Sequence, residues 1–237
     1  MKKIIITDYD KTLYLNDEDI KNNIKYIEKF RNNNNLFVIA TGRAYSVFED
    51  KIELYNIPYD YILLNHGAVI INNKKEIIYR ELIDKENLIN IINVIQTLPV
   101  IEIVLFDELD RFKTINDNIT KIMIRFETRE LVEKSYKILN EKFKNIFNMY
   151  LINSKNNRIE IISKKTNKAV AIKKLEEYEN IKKEYTYTIG DSSNDVEMIK
   201  EYNGFGMTIS ENSVYDVASK LYDSVSLLIE DILNEKI

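Results

Sequence analysis

Ile4-Ile5-Ile6-Thr7-Asp8-Tyr9-Asp10-Lys11-Thr12-Leu13 is the stretch on which the reading of this chain turns. Residues 4–7 are apolar and β-branched and run into polar turn residues, which predicts a short buried strand. In an open α/β fold such a strand delivers its next residues to the C-terminal edge of a parallel sheet, where ligands bind. Two carboxylates at i and i+2 on that edge can share a hard cation and divide two chemical roles. A strand-ending turn rich in Asp is also common and needs no chemistry. On this segment alone the two readings balance, and the rest of the chain separates them.

Downstream, strand and helix signals alternate. A helix is predicted over 19–30, with Ile20, Ile24, Ile27 and Phe30 on one face and Asp17 or Asp19 as its cap. Leu36-Phe37-Val38-Ile39-Ala40 reads as a second buried strand ending at Thr41-Gly42-Arg43, and Tyr61-Ile62-Leu63-Leu64 as a third ending at Asn65-His66-Gly67, with a helix between them. Short, continuous apolar strands alternating with helices argue for a parallel sheet covered on both faces. The middle of the chain differs. It reads as a hairpin (68–71 and 76–79), a helix over 84–98, strands at 100–106 and 119–126, a helix over 129–143, and a strand pair at 147–152 and 158–162. That pattern is α+β with mostly antiparallel strands. From Lys168 the parallel pattern resumes: helix 168–178, strand 185–189 ending at Gly190-Asp191-Ser192-Ser193-Asn194-Asp195, helix 196–202, a strand at 204–207, and helical stretches over 214–221 and 226–233. The expected fold class is α/β, a Rossmann-like parallel-sheet core split into 1–69 and 164–237, with an inserted α+β cap over 70–163.

Composition narrows the chemistry. At 45% hydrophobic and 30% charged, the 237 residues can bury a real core and are too apolar for a disordered chain. The net charge of −4 comes without a basic stripe, which argues against nucleic acid as a partner. The absence of Cys removes disulfides, thiolate nucleophiles and zinc–thiolate sites, and it fits a reducing compartment, so a cytoplasmic location is expected. Met1-Lys2-Lys3 and three Ile begin like a signal peptide, but Asp8 ends the apolar run too early. No stretch is long enough to span a bilayer, and no membrane partner is expected.

Polar clusters fall at the ends of successive predicted strands: Asp8 with Asp10, then Thr41, then Asp191 with Asp195. In a parallel sheet these ends share an edge, so the clusters can converge. Carboxylates gathered there repel unless a cation joins them, and an all-oxygen set suits Mg²⁺ rather than zinc. Lys168 adds a positive charge in the first turn of a helix, where the macrodipole disfavours it; an anion between Lys168 and the metal would offset that cost. Anion, Mg²⁺ and carboxylates together point to phosphoryl transfer.

These motifs carry a resemblance. Asp8-Tyr9-Asp10-Lys11-Thr12 matches D-x-D-x-T, Thr41 follows the second strand, Lys168 opens the helix after the insert, and Gly190 to Asp195 matches G-D-x-x-N-D. In that order and spacing the chain resembles the haloacid dehalogenase-like superfamily of phosphatases, in its Cof-type branch with a mid-chain α/β cap. The resemblance implies a Mg²⁺-dependent phosphatase acting on a small phosphorylated metabolite, such as a sugar phosphate or phosphorylated cofactor. It assigns Asp8 as the nucleophile that forms an aspartyl-phosphate and Asp10 as the acid/base. Asp8, the main-chain carbonyl of Asp10 and Asp191 would hold Mg²⁺, with Asp195 nearby. Thr41, Gly42, Lys168 and Asn194 would grip the phosphate, Gly42 by close backbone approach.

Two positions depart from the family pattern. Lys11 stands where a Gly is usual, which makes the turn less permissive. His66, the single His, interrupts the usual Asn-Gly-Ala after the third strand; it reads first as a loop residue at the entry to the insert and second as a substrate contact. A phosphomutase would share this machinery. A non-catalytic protein that senses a phosphorylated ligand would share the scaffold without needing Asp10. A Ser–His hydrolase built on Gly190-Asp191-Ser192 is argued against, because no Asp-x-x-His follows it and the single His precedes it.

Overall fold

The structure is a computed structural model that describes residues 1–112, 115, 118–152, 157–202 and 204–237. The opening strand forms as expected, as β1 (Ile4–Asp8), followed by α1 (Asp17–Asn32), β2 (Leu36–Ala40), α2 (Tyr45–Tyr55) and β3 (Tyr61–Leu64). Asn16 caps α1 rather than either Asp, accepting from the amides of Glu18 and Asp19. The Asp residues instead sit in the first turn, where the helix dipole favours negative charge. β4 (Val69–Asn72) and β5 (Ile77–Arg80) follow as an antiparallel hairpin.

After the middle segment come α5 (Lys168–Glu179), β11 (Thr186–Gly190), α6 (Val196–Glu201), β12 (Phe205–Met207), α7 (Asn212–Tyr215), β13 (Leu221–Tyr222) and α8 (Val225–Leu233). The helix expected over 214–221 is therefore cut short. Leu221 and Tyr222 pair in parallel with Gly206 and Met207, and the ladder along the sheet edge overrides the local helical pattern.

These strands build a sheet of order β13-β12-β11-β1-β2-β3-β4-β5. It is parallel from β13 to β3 and antiparallel through the hairpin. The strand order reverses between β1 and β11, the kind of switch point at which α/β sheets bind ligands. Alternating side chains of each strand feed two cores. Ile5, Phe37, Ile39 and Ile62 pack with α1, α2 and α8, while Ile4, Ile6, Val38 and Leu63 pack with α5 and α6. Because both faces are covered, the strands read as unbroken apolar runs.

The middle segment holds α3 (Lys85–Ile95), β6 (Val100–Phe106), β7 (Arg111–Phe112), β8 (Lys121–Phe126), α4 (Arg129–Phe143), β9 (Phe147–Ile152) and β10 (Arg158–Ser163). Its strands form a separate antiparallel sheet, β7-β6-β8-β10-β9. Ile122, Ile124, Ile159 and Ile161 bury against α3 and α4 on one face. The sequence boundary at residue 70 falls inside β4, because pairing with β3 places the hairpin in the large sheet. The second sheet begins only at Val100.

Candidate active site

Register sets the geometry. Asp8 pairs with Ala40, and Thr7 with Ile189, so Asp8, Thr41 and Asp191 emerge at one edge of the large sheet. Asp8, Asp191 and Asp195 are buried, and each offers a carboxylate oxygen within 4.8 Å of the others. Lys168 reaches them from the first turn of α5, whose N-cap Asn167 accepts from the amide of Val170 at 2.8 Å. Its Nζ donates to Asp8 Oδ1 and to Asp195 Oδ1, both at 2.6 Å. Asp195 Oδ2 accepts from the amides of Asp191 and Ser192, each at 3.2 Å, and Thr12 donates to Asp191 Oδ1 at 3.2 Å.

The electrostatics of this cluster are those of too few positive charges. Burial pushes the Asp8 carboxyl well above its ordinary range, although Lys168 opposes it and Asp195 adds to it. Burial and then Asp195 push Asp191 up to about 7. Burial alone would lower the Lys168 ammonium, but Asp195 and Asp8 more than offset it, so its pKa is raised. Three oxygen-donor carboxylates around one ammonium fit a hard divalent cation, which would supply the missing charge.

The pH dependence of the metal-free protein follows. Between about pH 4 and pH 7 the folded state keeps a proton on Asp191 that the unfolded chain has released. Stability therefore falls as pH rises through that window, by up to about 4 kcal/mol, and the raised Asp8 acts in the same direction. Thermal melts in chelator should show a lower Tm at pH 7.5 than at pH 5, with Mg²⁺ restoring the loss at pH 7.5. A Tm that climbs with pH in chelator would show that the cluster does not hold those protons.

Asp10 is outside the cluster: its carboxylate accepts from Arg43 Nη2 (2.7 Å) and Arg43 Nε (2.9 Å). The expectation that the Asp8 and Asp10 carboxylates share a cation is therefore not met in this structure; only the main-chain carbonyl of Asp10, the contact that the resemblance implies, stays available to a metal. Thr41 is buried, and its Oγ1 accepts from the amide of Arg43 at 3.2 Å. Asn194 Oδ1 accepts from Ser192 Oγ at 2.8 Å. Lys11 adopts φ 64°, the left-handed conformation that a Gly would take without strain.

His66 is no mere loop residue. Asn65, His66 and Gly67 take φ 50°, 57° and 95° in succession, a strained turn of the kind that gathers at functional sites. His66 is buried beside Gly42, whose missing Cβ makes room for the ring: a Cβ there would lie 2.4 Å from His66 Cε1. The imidazole Nε2 meets Glu160 Oε2 at 2.6 Å and Nδ1 meets Asn194 Nδ2 at 3.4 Å. A neutral ring with its proton on Nε2 satisfies both contacts, and burial, the largest influence, lowers its pKa. Gly42→Ala should displace the ring and cost on the order of 1–3 kcal/mol in chemical denaturation; an unchanged midpoint would mean that the loop shifts freely.

Glu160 belongs to β10, so the second sheet meets this edge directly. Lys121 Nζ of β8 donates to Gly42 O at 2.5 Å and lies 3.4 Å from Glu160 Oε2. Tyr150 of β9 stacks on His66 with ring centroids 4.3 Å apart. Between the two sheets lies a cleft of about 650 Å³, lined by Asp8, Asp10 and Asp191 below and by Lys121, Arg158 and Glu160 above. Sequence reading missed this upper set. Its signal is the alternation of charged and apolar residues in Lys121-Ile122-Met123-Ile124-Arg125 and Arg158-Ile159-Glu160-Ile161, which also describes a solvent-facing strand.

The fold and site define a hydrolase scaffold: a parallel α/β sheet with a buried acidic cluster at its switch point and a second sheet laid over it. A family model of haloacid dehalogenase-like hydrolases matches residues 5–116 and 106–226. The chain belongs to the haloacid dehalogenase-like hydrolases of Cof type. An uncharacterized protein of Mycoplasma capricolum is 28% identical, over 85% of this chain and 88% of that one. Among solved structures, a haloacid dehalogenase-like hydrolase from B. subtilis superposes with a TM-score of 0.82 at 18% identity, over 96% of this chain and 99% of that one. A protein from Bacteroides thetaiotaomicron, described among the phosphatases of the haloalkanoate (HAD) superfamily, superposes with a TM-score of 0.78 at 19% identity, over 99% and 95%. At these identities the superpositions establish the fold. No helix among the described residues is long and apolar enough to cross a membrane.

Proposed function

We propose that this chain is a Mg²⁺-dependent phosphomonoesterase for a small phosphorylated metabolite, working through an aspartyl-phosphate. The observation that carries the reading is Asp8 held by buried Lys168 within a cluster of three carboxylates at the sheet's switch point. Asp8, Asp191, Asp195 and the main-chain carbonyl of Asp10 are the groups that would hold Mg²⁺. When bound, it supplies positive charge against the phosphoryl oxygens and lets Asp8 stay ionised.

Lys168 fixes Asp8 Oδ1, and the other carboxylate oxygen attacks phosphorus. An Asp8–phosphorus bond forms as the ester oxygen–phosphorus bond breaks, and Asp10 gives the departing alkoxide a proton. Asp10 then takes a proton from the water that attacks phosphorus. Inorganic phosphate leaves and Asp8 is restored. Thr41, Gly42, Lys168 and Asn194 orient the transferring group. For this cycle Asp10 must leave its pair with Arg43, so substrate binding has to open that contact. The second sheet acts as a cap that excludes water from the cleft. A small metabolite as substrate, no nucleic-acid or membrane partner, and a cytoplasmic setting complete the reading.

The Asp10–Arg43 pair is also what a protein that senses a phosphorylated ligand without turnover would display. Phosphate release from p-nitrophenyl phosphate and a metabolite panel, with Mg²⁺ and with chelator, decides between them. Release that depends on Mg²⁺ supports the enzyme; binding without release supports the sensor.

A further inference from the structure

Strand alternation places Lys121 and Met123 of β8, Arg158 and Glu160 of β10, and Tyr150 of β9 on the face opposite the helices. That face roofs the cleft. Its charges do not balance. Glu160 is buried and serves three neighbours: His66 at 2.6 Å, Lys121 at 3.4 Å and Arg158 at 3.0 Å. His66 is neutral, so one carboxylate faces two cations. Arg125, opposite Arg158 in register, spends its charge on Glu102 at 3.1 Å. On the floor, Arg43 holds both oxygens of Asp10 and would be freed only when Asp10 turns to the leaving group. Among the described residues the roof therefore keeps one surplus positive charge beside the space that a leaving group would fill.

Arg158 is where that surplus is available. Its Nε is buried and makes no hydrogen bond among the described residues, because the nearby Glu160 oxygen lies off its N–H axis. Its side chain is 31% exposed and lines the cleft. A buried guanidinium N–H that is charge-paired at 3.0 Å but makes no aligned hydrogen bond is under-satisfied, and a ligand would complete it. Lys121 has partners in Gly42 O and Glu160, but burial lowers its pKa, Glu160 opposes this, and Arg158 and Arg43 lower it further, so a second anion there would favour its charge.

We infer that the leaving group of the substrate carries a second anionic group, a carboxylate or a second phosphate, bound by Arg158 with Lys121 behind it. This rests on the phosphomonoesterase reading for the orientation of the substrate, with its scissile phosphate at Asp8. A planar carboxylate or a phosphate matches the fork of Arg158, whereas an uncharged polyol would leave the roof's surplus unmet.

The test reads binding without turnover. The full chain carrying Asp8→Asn is titrated calorimetrically, with Mg²⁺ present, against two matched pairs. The first is 3-phosphoglycerate and glycerol 3-phosphate, which differ by a carboxylate. The second is fructose 1,6-bisphosphate and fructose 6-phosphate, which differ by a phosphate. In at least one pair the member with the extra anion should bind about 10-fold tighter or better, and the pair that discriminates identifies the group. Adding Arg158→Gln should bring that pair to within about 2-fold, while Arg158→Lys, which keeps the charge, should retain part of the preference. Equal affinities in both pairs, no binding of any probe, or a preference that survives Arg158→Gln would overturn the inference. Should Arg158→Gln fail to fold, the parent pairs and Arg158→Lys still decide it. Phosphate release by the parent chain is measured separately. Release without preference removes only this inference, and preference without release removes only the hydrolytic reading.

Discussion

Asp8→Asn is expected to abolish turnover, by at least about 10⁴-fold, while the protein remains folded. The amide is nearly isosteric and still accepts the hydrogen bond from Lys168, but it cannot form the bond to phosphorus. The same substitution carries a second, opposite expectation. Asp8 is one of three crowded carboxylates, and burial makes its charge costly. Replacing it should leave the metal-free Tm unchanged or raise it, and should weaken the stabilisation by Mg²⁺. Phosphate release and melts with and without Mg²⁺ on the same samples test both. Retained activity removes Asp8 as nucleophile; a collapse of the metal-free Tm would mean that the Asp8–Lys168 pair holds the fold together.

Asp10 and Lys168 should be separable by leaving group. Asp10→Asn should cost alkyl phosphates about 10²–10⁴-fold in kcat/KM and phosphates of acidic phenols far less, since a good leaving group needs no proton. Lys168→Ala should cost both substrate types about 10²–10³-fold, because it holds Asp8 and the proposed cycle brings the transferred group against both. It also strips the ammonium from a buried acidic cluster, so the variant is to be assayed with Mg²⁺ and its melt recorded beside the activity. Equal losses on both substrates for Asp10→Asn would end its role as the acid. That comparison matters because Asp10 is bound to Arg43 and has to be released before it can act.

Strands buried on both faces were easiest to read. The apolar runs at residues 36–40 and 61–64 have no polar alternation to mislead, and they form strands with those limits. The acidic cluster was equally legible, because its residues follow such strands and parallel pairing leaves them one edge to share. Three features were not legible. Leu221 looks helical locally and becomes a strand only through its partner Gly206. The hairpin 69–80 looks like part of the insert, since antiparallel pairing does not announce which sheet it joins. The charged stripe of Lys121, Arg158 and Glu160 has the period of an ordinary solvent-facing strand, and only the docking of one sheet over the other turns it inward. His66 is hard to read for a related reason: its partner Glu160 lies 94 residues away.

The hairpin of β4 and β5 bears on how this chain could be recombined with its relatives. It covers β3, whose outer backbone groups pair with Val69 to Asn72. A chimera joined at residue 70 would divide that ladder and leave a flat apolar strand, Tyr61–Leu64, open to pairing with another molecule. Seams placed between Arg80 and Lys85 and between Ser163 and Lys168 keep the ladder whole, and they leave the outermost strand flanked by Lys74, Lys75 and Arg80 as protection against such pairing. The second seam lies only a few residues before the lysine that grips Asp8. A transplanted second sheet would thus be spliced almost directly onto Lys168, and the grafts most apt to keep its pairs with Asp8 and Asp195 are those that carry the native 164–168 segment unchanged.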